Sequence, residues 1–130
     1  MVNRRLVLDT SVAVDLLAGD ATIRRLVAIT NAVFVPSVVI GELIAGARTS
    51  ARAKDNLAEI EAFAADNHVL DCDWETARQY GDIYAQLRIR GKLIPSNDMW
   101  VAAVALQHGL PLAARDAHFA EVDSLVRVPC

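Results

Sequence analysis

Four acids of this 130-residue chain, Asp9, Glu42, Asp98 and Asp116, have the type and position to do chemistry together. Asp9 closes the apolar run RLVLD, and Asp116 follows the short run PLAAR. Glu42 lies in a helical stretch that places Val38, Val39, Ala45 and Gly46 one turn to either side of it, and Asp98 lies in the first turn of the helical segment that begins at Ser96. Taken singly, three of them have ordinary explanations: Asp9 and Asp116 as caps or turn residues, Asp98 as a charge that suits a helix N-terminus. Glu42 resists one, because a carboxylate on an apolar patch is costly without a partner. Two unit charges 4 Å apart repel by about 4 kcal/mol at an effective dielectric near 20, so four acids share a pocket only where a cation neutralises them. An all-oxygen donor set suits Mg²⁺ or Mn²⁺. Such an ion lowers the pKa of a bound water and braces the transition state of attack on a phosphodiester. No lysine or cysteine stands in these motifs to act as nucleophile, which leaves a metal-activated water as the attacker.

The elements that must position these acids are short apolar runs alternating with helical periods. Residues 5–9 (RLVLD), 33–36 (VFVP), 68–71 (HVLD) and 111–115 (PLAAR) read as buried strands, and 125–128 (LVRV) as a fifth. Between them, TSVAVDLLAG reads as a helix ending at Gly19, Asp20 caps a helix to about Asn31, and Ser37 starts one to about Arg48. Residues 51–66 form an amphipathic helix with Ala53, Leu57, Ile60 and Ala64 on one face. Asp73 opens a long helix that carries Trp74, Ala77, Tyr84 and Leu87 inward and ends at Gly91; Ser96, after Pro95, caps another that stops at Gly109. This alternation predicts an α/β fold with a largely parallel central sheet of four to five strands flanked by helices. Such sheets build ligand sites at the carboxyl ends of their strands, where Asp9 and Asp116 fall. With no repeat, low-complexity tract or linker, residues 1–130 are expected to form a single domain whose core needs no disulfide or metal.

Composition excludes several function classes. Hydrophobic residues are 54% and charged residues 22%, which excludes intrinsic disorder, and aromatics are only 5%, so Ala, Val, Leu and Ile must fill the core. No apolar run approaches the ~20 residues of a membrane span. Arg4 and Arg5 before an apolar stretch superficially suggest a secretion signal, but Asp9 and Asp15 interrupt that stretch, and the protein is expected to stay in the cytoplasm. The net charge of −3 argues against a broad basic surface for nucleic acid, although gathering four acids in one pocket leaves the rest of the chain slightly positive. Cys72 and Cys130 have no metal-ligand spacing and read as reduced thiols, Cys72 near an element start and Cys130 on a free tail. His68, His108 and His118 are scattered, which argues against a zinc site.

Three segments, LVLDTSV at 6–12, VVIGELIAGA at 38–47 and SNDMWVAAVALQHGLPLAARDAHF at 96–119, resemble the signature regions of PIN-domain proteins, and most closely those of VapC-type toxins of bacterial toxin–antitoxin pairs. The resemblance covers almost the whole chain in length, motif order and spacing. It implies a three-layer PIN-like fold and a metal-dependent endoribonuclease, a toxin that uses Mg²⁺ or Mn²⁺ at Asp9, Glu42, Asp98 and Asp116 to cleave RNA. It also implies a supporting hydroxyl at Ser11 and a supporting amide at Asn97, a cognate antitoxin whose segment wraps the toxin, and a homodimer. The sequence departs from the family where a Thr often stands two places before the fourth acid; here that place is Ala114.

Other features carry less. Arg88, Arg90 and Lys92 form a basic cluster that contacts RNA phosphates or simply suits a helix end. Trp100, among Val101, Val104 and Ala105, reads as a packing or dimer-interface residue rather than one that stacks on a base, His118, beside Asp116, as a partly exposed turn residue rather than one that approaches the site, and Asp15 and Arg48 as surface or supporting groups. Two alternatives compete with the nuclease: a non-catalytic PIN scaffold that binds RNA or a protein partner, and a receiver-like phosphoacceptor domain. The receiver wants an adjacent acidic pair after the first strand and a late lysine, whereas LVLDTSV has one acid and no lysine follows Lys92.

Overall fold

A computed structural model of the chain describes residues 4–130. Five short strands form one parallel sheet: β1 (Arg5–Leu8), β2 (Ala32–Pro36), β3 (His68–Leu70), β4 (Leu112–Ala113) and β5 (Arg127–Val128), in the order β3-β2-β1-β4-β5. The central strand buries three of its four residues, which is why it reads as a continuous apolar run rather than an alternating one. The order departs from the 2-1-3-4-5 arrangement of flavodoxin-like receiver folds, and the receiver reading is set aside.

Six helices connect and cover the strands: α1 (Thr10–Leu17), α2 (Ala21–Ala28), α3 (Ser37–Arg48), α4 (Ala53–Asp66), α5 (Trp74–Ile89) and α6 (Ser96–His108). A 3-10 turn, Ala117–Glu121, lies between β4 and β5. The core joins Val7 and Leu8 of β1 to Val12, Ile23, Val35, Val39, Leu87, Leu112 and Phe119. α6 is the innermost helix: Met99 and every residue from Val101 to Ala105 are buried. A helix that is apolar on nearly all sides must sit in the interior. Gly109, at φ 63° in the left-handed region, ends it.

Several expectations need correction. Trp74 does not point inward but is 77% exposed. The inward stripe of α5 is Thr76, Ile83 and Leu87, and Trp74, two residues before Thr76, falls on the far side of a 3.6-residue turn. Ser96 is the first helical residue of α6 and makes no side-chain cap; Pro95 holds the cap position. β4 keeps only two residues of the 111–115 run, because the chain leaves the sheet at Ala114 for the turn that carries Asp116. Cys130 is not on a free tail: it packs partly buried against the core, and its carbonyl accepts a hydrogen bond from Arg115 Nε at 3.1 Å. No helix among the described residues is long and apolar enough to cross a membrane.

Candidate active site

Because all five strands run the same way, the segments leaving their carboxyl ends meet on one edge of the sheet. Asp9 leaves β1 there, α3 with Glu42 follows β2 there, and Asp116 lies three residues beyond β4. α6 feeds β4 from the opposite end, so its first turn, with Asp98, returns to the same edge.

Asp9 stands at the N-cap position of α1, yet its side chain makes no cap hydrogen bond. It is 5% exposed. Burial pushes its carboxyl above the ordinary value of 3.8; the charges of Asp98 and Glu42 push the same way, while the Thr10 N–H and the Ser11 hydroxyl pull it down. The Ser11 hydroxyl donates to Asp9 Oδ2 at 3.2 Å.

Glu42 is half-buried rather than enclosed, since Val39 and Leu43 are interior but Ala45 and Gly46 face solvent. Both of its oxygens have partners: Thr10 Oγ1 donates to Oε1 at 2.8 Å and Asn97 Nδ2 donates to Oε2 at 3.1 Å. Both donors are neutral, so they orient the carboxylate and leave its charge in place. Asn97, placed one residue before Asp98, thus reaches Glu42 across 55 positions of sequence.

Asp98 is 9% exposed. Burial is again the main cause that raises its carboxyl, and Asp116 and Glu42 add to it, against the hydrogen bond and charge of His118. Asp116 is exposed and caps the 3-10 turn, its Oδ1 accepting from the His118 backbone N–H at 2.9 Å. His118 Nδ1 lies 3.0 Å from Asp98 Oδ2 and 3.1 Å from Asp116 Oδ1. One ligand atom each from Asp98, Asp116 and His118 fall within 4.8 Å of one another.

Sequence reasoning misses one of these residues and ranks another too low. Thr10 stands in LVLDTSV beside Asp9, where the second hydroxyl of the motif is the only signal. His118 reads as a turn residue, but the 3-10 turn brings its ring to two of the acids; the Asp-x-His spacing in RDAHF was the available signal.

The site has a donor set that fits a divalent cation. Among the described residues, no lysine or arginine forms an ion pair with Asp9, Glu42, Asp98 or Asp116. Arg115, the residue before Asp116, is engaged by Asp15 and by Asp20 at 3.5 Å. Two buried carboxylates therefore face others with no fixed positive charge to offset them, an arrangement that a bound divalent ion completes.

Of the basic cluster, Arg90 is committed to Asp123 at 3.4 Å and to the Glu121 carbonyl, while Arg88 and Lys92 are exposed. Trp100 is half-buried and stacks on Tyr80 with ring centroids 4.1 Å apart, which gives its indole a partner within the chain.

Comparison with known proteins places this arrangement in context. A family model described as PIN domain matches residues 6–125. The chain is 35% identical over 126 residues to Ribonuclease VapC5 of Mycobacterium tuberculosis, covering 94% of this chain and 90% of that protein. Among solved structures it resembles DNA-bound VapBC from Salmonella typhimurium, with a TM-score of 0.88 at 26% identity, covering 96% of this chain and 97% of that one. It also resembles VapBC-5, a member of the VapBC family of toxin-antitoxin systems from Mycobacterium tuberculosis, with a TM-score of 0.76 at 30% identity, covering 95% and 98%.

Proposed function

The chain belongs to the PIN-domain family, and from that premise we propose that it is the toxin of a toxin–antitoxin pair, a divalent-metal-dependent endoribonuclease that works in the cytoplasm. The observation that carries this reading is the convergence of Asp9, Glu42, Asp98 and Asp116, from four separate segments, on one sheet edge without a lysine or arginine among them. The relative covered almost end to end is named a ribonuclease, and the structural relatives are toxin–antitoxin proteins.

In this reading Asp9, Asp98 and Asp116 hold Mg²⁺ or Mn²⁺, with Glu42 as fourth carboxylate. The ion, when bound, makes water a competent nucleophile at neutral pH and offsets charge on the scissile phosphate. The chain's own residues set the stage for that. Thr10 and Asn97 fix both oxygens of Glu42, so that carboxylate keeps its orientation when substrate arrives. Ser11 holds Asp9 in the same way. Burial of Asp9 and Asp98 keeps their charge poorly solvated, which strengthens their hold on a cation. Substrate is RNA presented unpaired, because a site at a sheet edge reaches a splayed strand more readily than the deep groove of a duplex. Arg88 and Lys92 are free to meet its phosphates.

A cognate antitoxin is the second partner, and two copies of the chain pair as a homodimer. The scaffold reading loses ground because all four acids are present and the two best buried, Asp9 and Asp98, pair with no lysine or arginine among the described residues. The experiment is incubation of the purified protein with an unstructured RNA in Mg²⁺ or Mn²⁺ and in chelator. Cleavage in metal that stops on chelation is expected; cleavage undiminished after complete chelation contradicts the metal mechanism, and none under any divalent ion favours the scaffold.

A further inference from the structure

Resting on the reading of this edge as a cation site, we propose that His118 supplies a nitrogen ligand to the ion held by Asp98 and Asp116. The donor set is then mixed nitrogen and oxygen, and the site prefers Mn²⁺ and later transition ions to Mg²⁺.

The placement of one atom carries this. His118 Nδ1 is 3.0 Å from an oxygen of Asp98 and 3.1 Å from an oxygen of Asp116. In an octahedral site with metal–ligand distances near 2.1 Å, neighbouring ligand atoms lie about 3.0 Å apart. The nitrogen thus already stands at ligand spacing from each of the two oxygens, and one ligand atom from each of the three residues falls within 4.8 Å of the others.

The backbone that carries the ring is also held where it is. The His118 backbone N–H donates to Asp116 Oδ1 at 2.9 Å, which ties the residue to its fellow ligand. The next residue, Phe119, is 1% exposed and anchors the 3-10 turn in the core. A donor carried on a pinned turn loses little freedom when it ligates. Nδ1 is the ring nitrogen that lies toward the two acids, and a neutral imidazole with its proton on Nε2 can offer that nitrogen to a cation bound between them.

The chemical consequence concerns which ion is chosen. Carboxylates alone suit Mg²⁺ and Mn²⁺ alike, whereas an imidazole nitrogen favours transition ions, whose affinities rise from Mn²⁺ along the series toward Cu²⁺. Neither His68, in β3, nor His108, at the far end of α6 from Asp98, lies at the site. The preference therefore rests on one residue.

The test is pulsed electron paramagnetic resonance of Mn²⁺ on the full chain, metal-stripped and loaded below one equivalent, with binding of Mn²⁺ and Mg²⁺ followed by calorimetry. The wild type should show coupling of the manganese electron spin to an imidazole ¹⁴N. His118→Ala should lose it, with Mn²⁺ affinity falling by at least about 10- to 100-fold, the range that loss of a mere outer-shell partner already produces. Mg²⁺ affinity should change far less. Bound Mn²⁺ without nitrogen coupling in the wild type, which requires no variant to fold, overturns the proposal and leaves the nuclease reading standing. Coupling that persists in His118→Ala also overturns it. Failure of the wild type to bind Mn²⁺ removes both this inference and the metal-dependent reading.

Discussion

Asp73 and Asp9 occupy the same position, the N-cap of a helix that follows a strand, and the surroundings of the two carboxylates are opposite. Asp73 opens α5 with a complete capping box: its Oδ1 accepts from the Thr76 N–H at 3.1 Å, and the Asp73 N–H donates back to Thr76 Oγ1 at 2.9 Å. Gln107 of α6 donates to the same Oδ1 at 2.8 Å, and the Thr76 N–H leads the causes that hold this carboxyl below its ordinary value. Asp20 does the same for α2, accepting from the Ile23 N–H at 3.0 Å. Asp9 caps nothing with its side chain, is buried, faces Asp98 and Glu42, and has its carboxyl pushed up. One residue type at one helical position is stabilising in the first region and costly in the second. That cost is what the proposed cation site predicts for one of its carboxylates.

The largest expected effect separates the two regions by activity. Asp9→Asn and Asp98→Asn should each lower the cleavage rate by about 100-fold or more, since metal ligands supply several kcal/mol of transition-state stabilisation. Glu42→Gln should fall in the same class, and Glu59→Gln, on the exposed side of α4, should cleave as the wild type does. Asp73→Asn should also leave the rate unchanged. Equal activity of Glu42→Gln and Glu59→Gln returns Glu42 to an ordinary structural role.

Stability should show the reverse pattern. Asp73→Ala removes the cap of α5 and the hydrogen bond that ties it to α6, and should lower the melting temperature measurably in thermal denaturation.

The comparison can be sharpened with pH. Asp9 and Asp98 have raised folded values, so their contribution to stability is full below the ordinary 3.8 and is lost as pH rises through the folded values. Asp20 and Asp73 have lowered values, so their contribution is present above 3.8 and is lost as pH falls through the folded values. In chelator, acidifying from about pH 7 toward 4 should therefore stabilise the wild type relative to Asp9→Asn/Asp98→Asn, and further acidification should erode it relative to Asp73→Asn. Urea melts across that range read both. A wild type that tracks Asp9→Asn/Asp98→Asn at every pH contradicts the raised values.

The smallest effect concerns the basic cluster. Arg88→Ala and Lys92→Ala should each weaken RNA binding modestly and reduce its salt slope by about one, as for single phosphate contacts. Arg90→Ala should act instead on stability, through Asp123 and the Glu121 carbonyl.

Strand and helix order was legible in the sequence because the apolar runs are short and the punctuation strong. Asp20, Pro36, Asp73 and Gly109 mark boundaries that the structure keeps within a residue or two. The parallel sheet follows from that alternation, and with it the edge on which the four acids meet. What was not legible depends on tertiary direction. Trp74 fits an inward pattern by residue type, but the register of α5 is set by Thr76, whose hydroxyl meets Asp73 and Gln107, and that register turns the indole to solvent. Glu42 reads as a buried charge in need of a partner because Val38, Val39, Ala45 and Gly46 surround it in sequence; in space Ala45 and Gly46 are exposed, and neutral donors from two other elements hold it. His118 reads as a turn residue in preference to a neighbour of the site because nothing local distinguishes a turn histidine from one whose ring a 3-10 turn brings to two acids.

Thermal melting of the wild type and Asp98→Asn, each in chelator and in excess Mn²⁺, tests most directly the claim that these acids are held for a cation at the expense of stability. In chelator the variant should melt at the same temperature as the wild type or higher, because Asn keeps the shape and removes one uncompensated charge. Excess Mn²⁺ should then stabilise the wild type, by about 2.7 kcal/mol over its metal-free state at 100 times the dissociation constant, and the variant by less. A variant that melts well below the wild type in chelator, with Mn²⁺ moving neither protein, makes Asp98 a structural residue and contradicts the account.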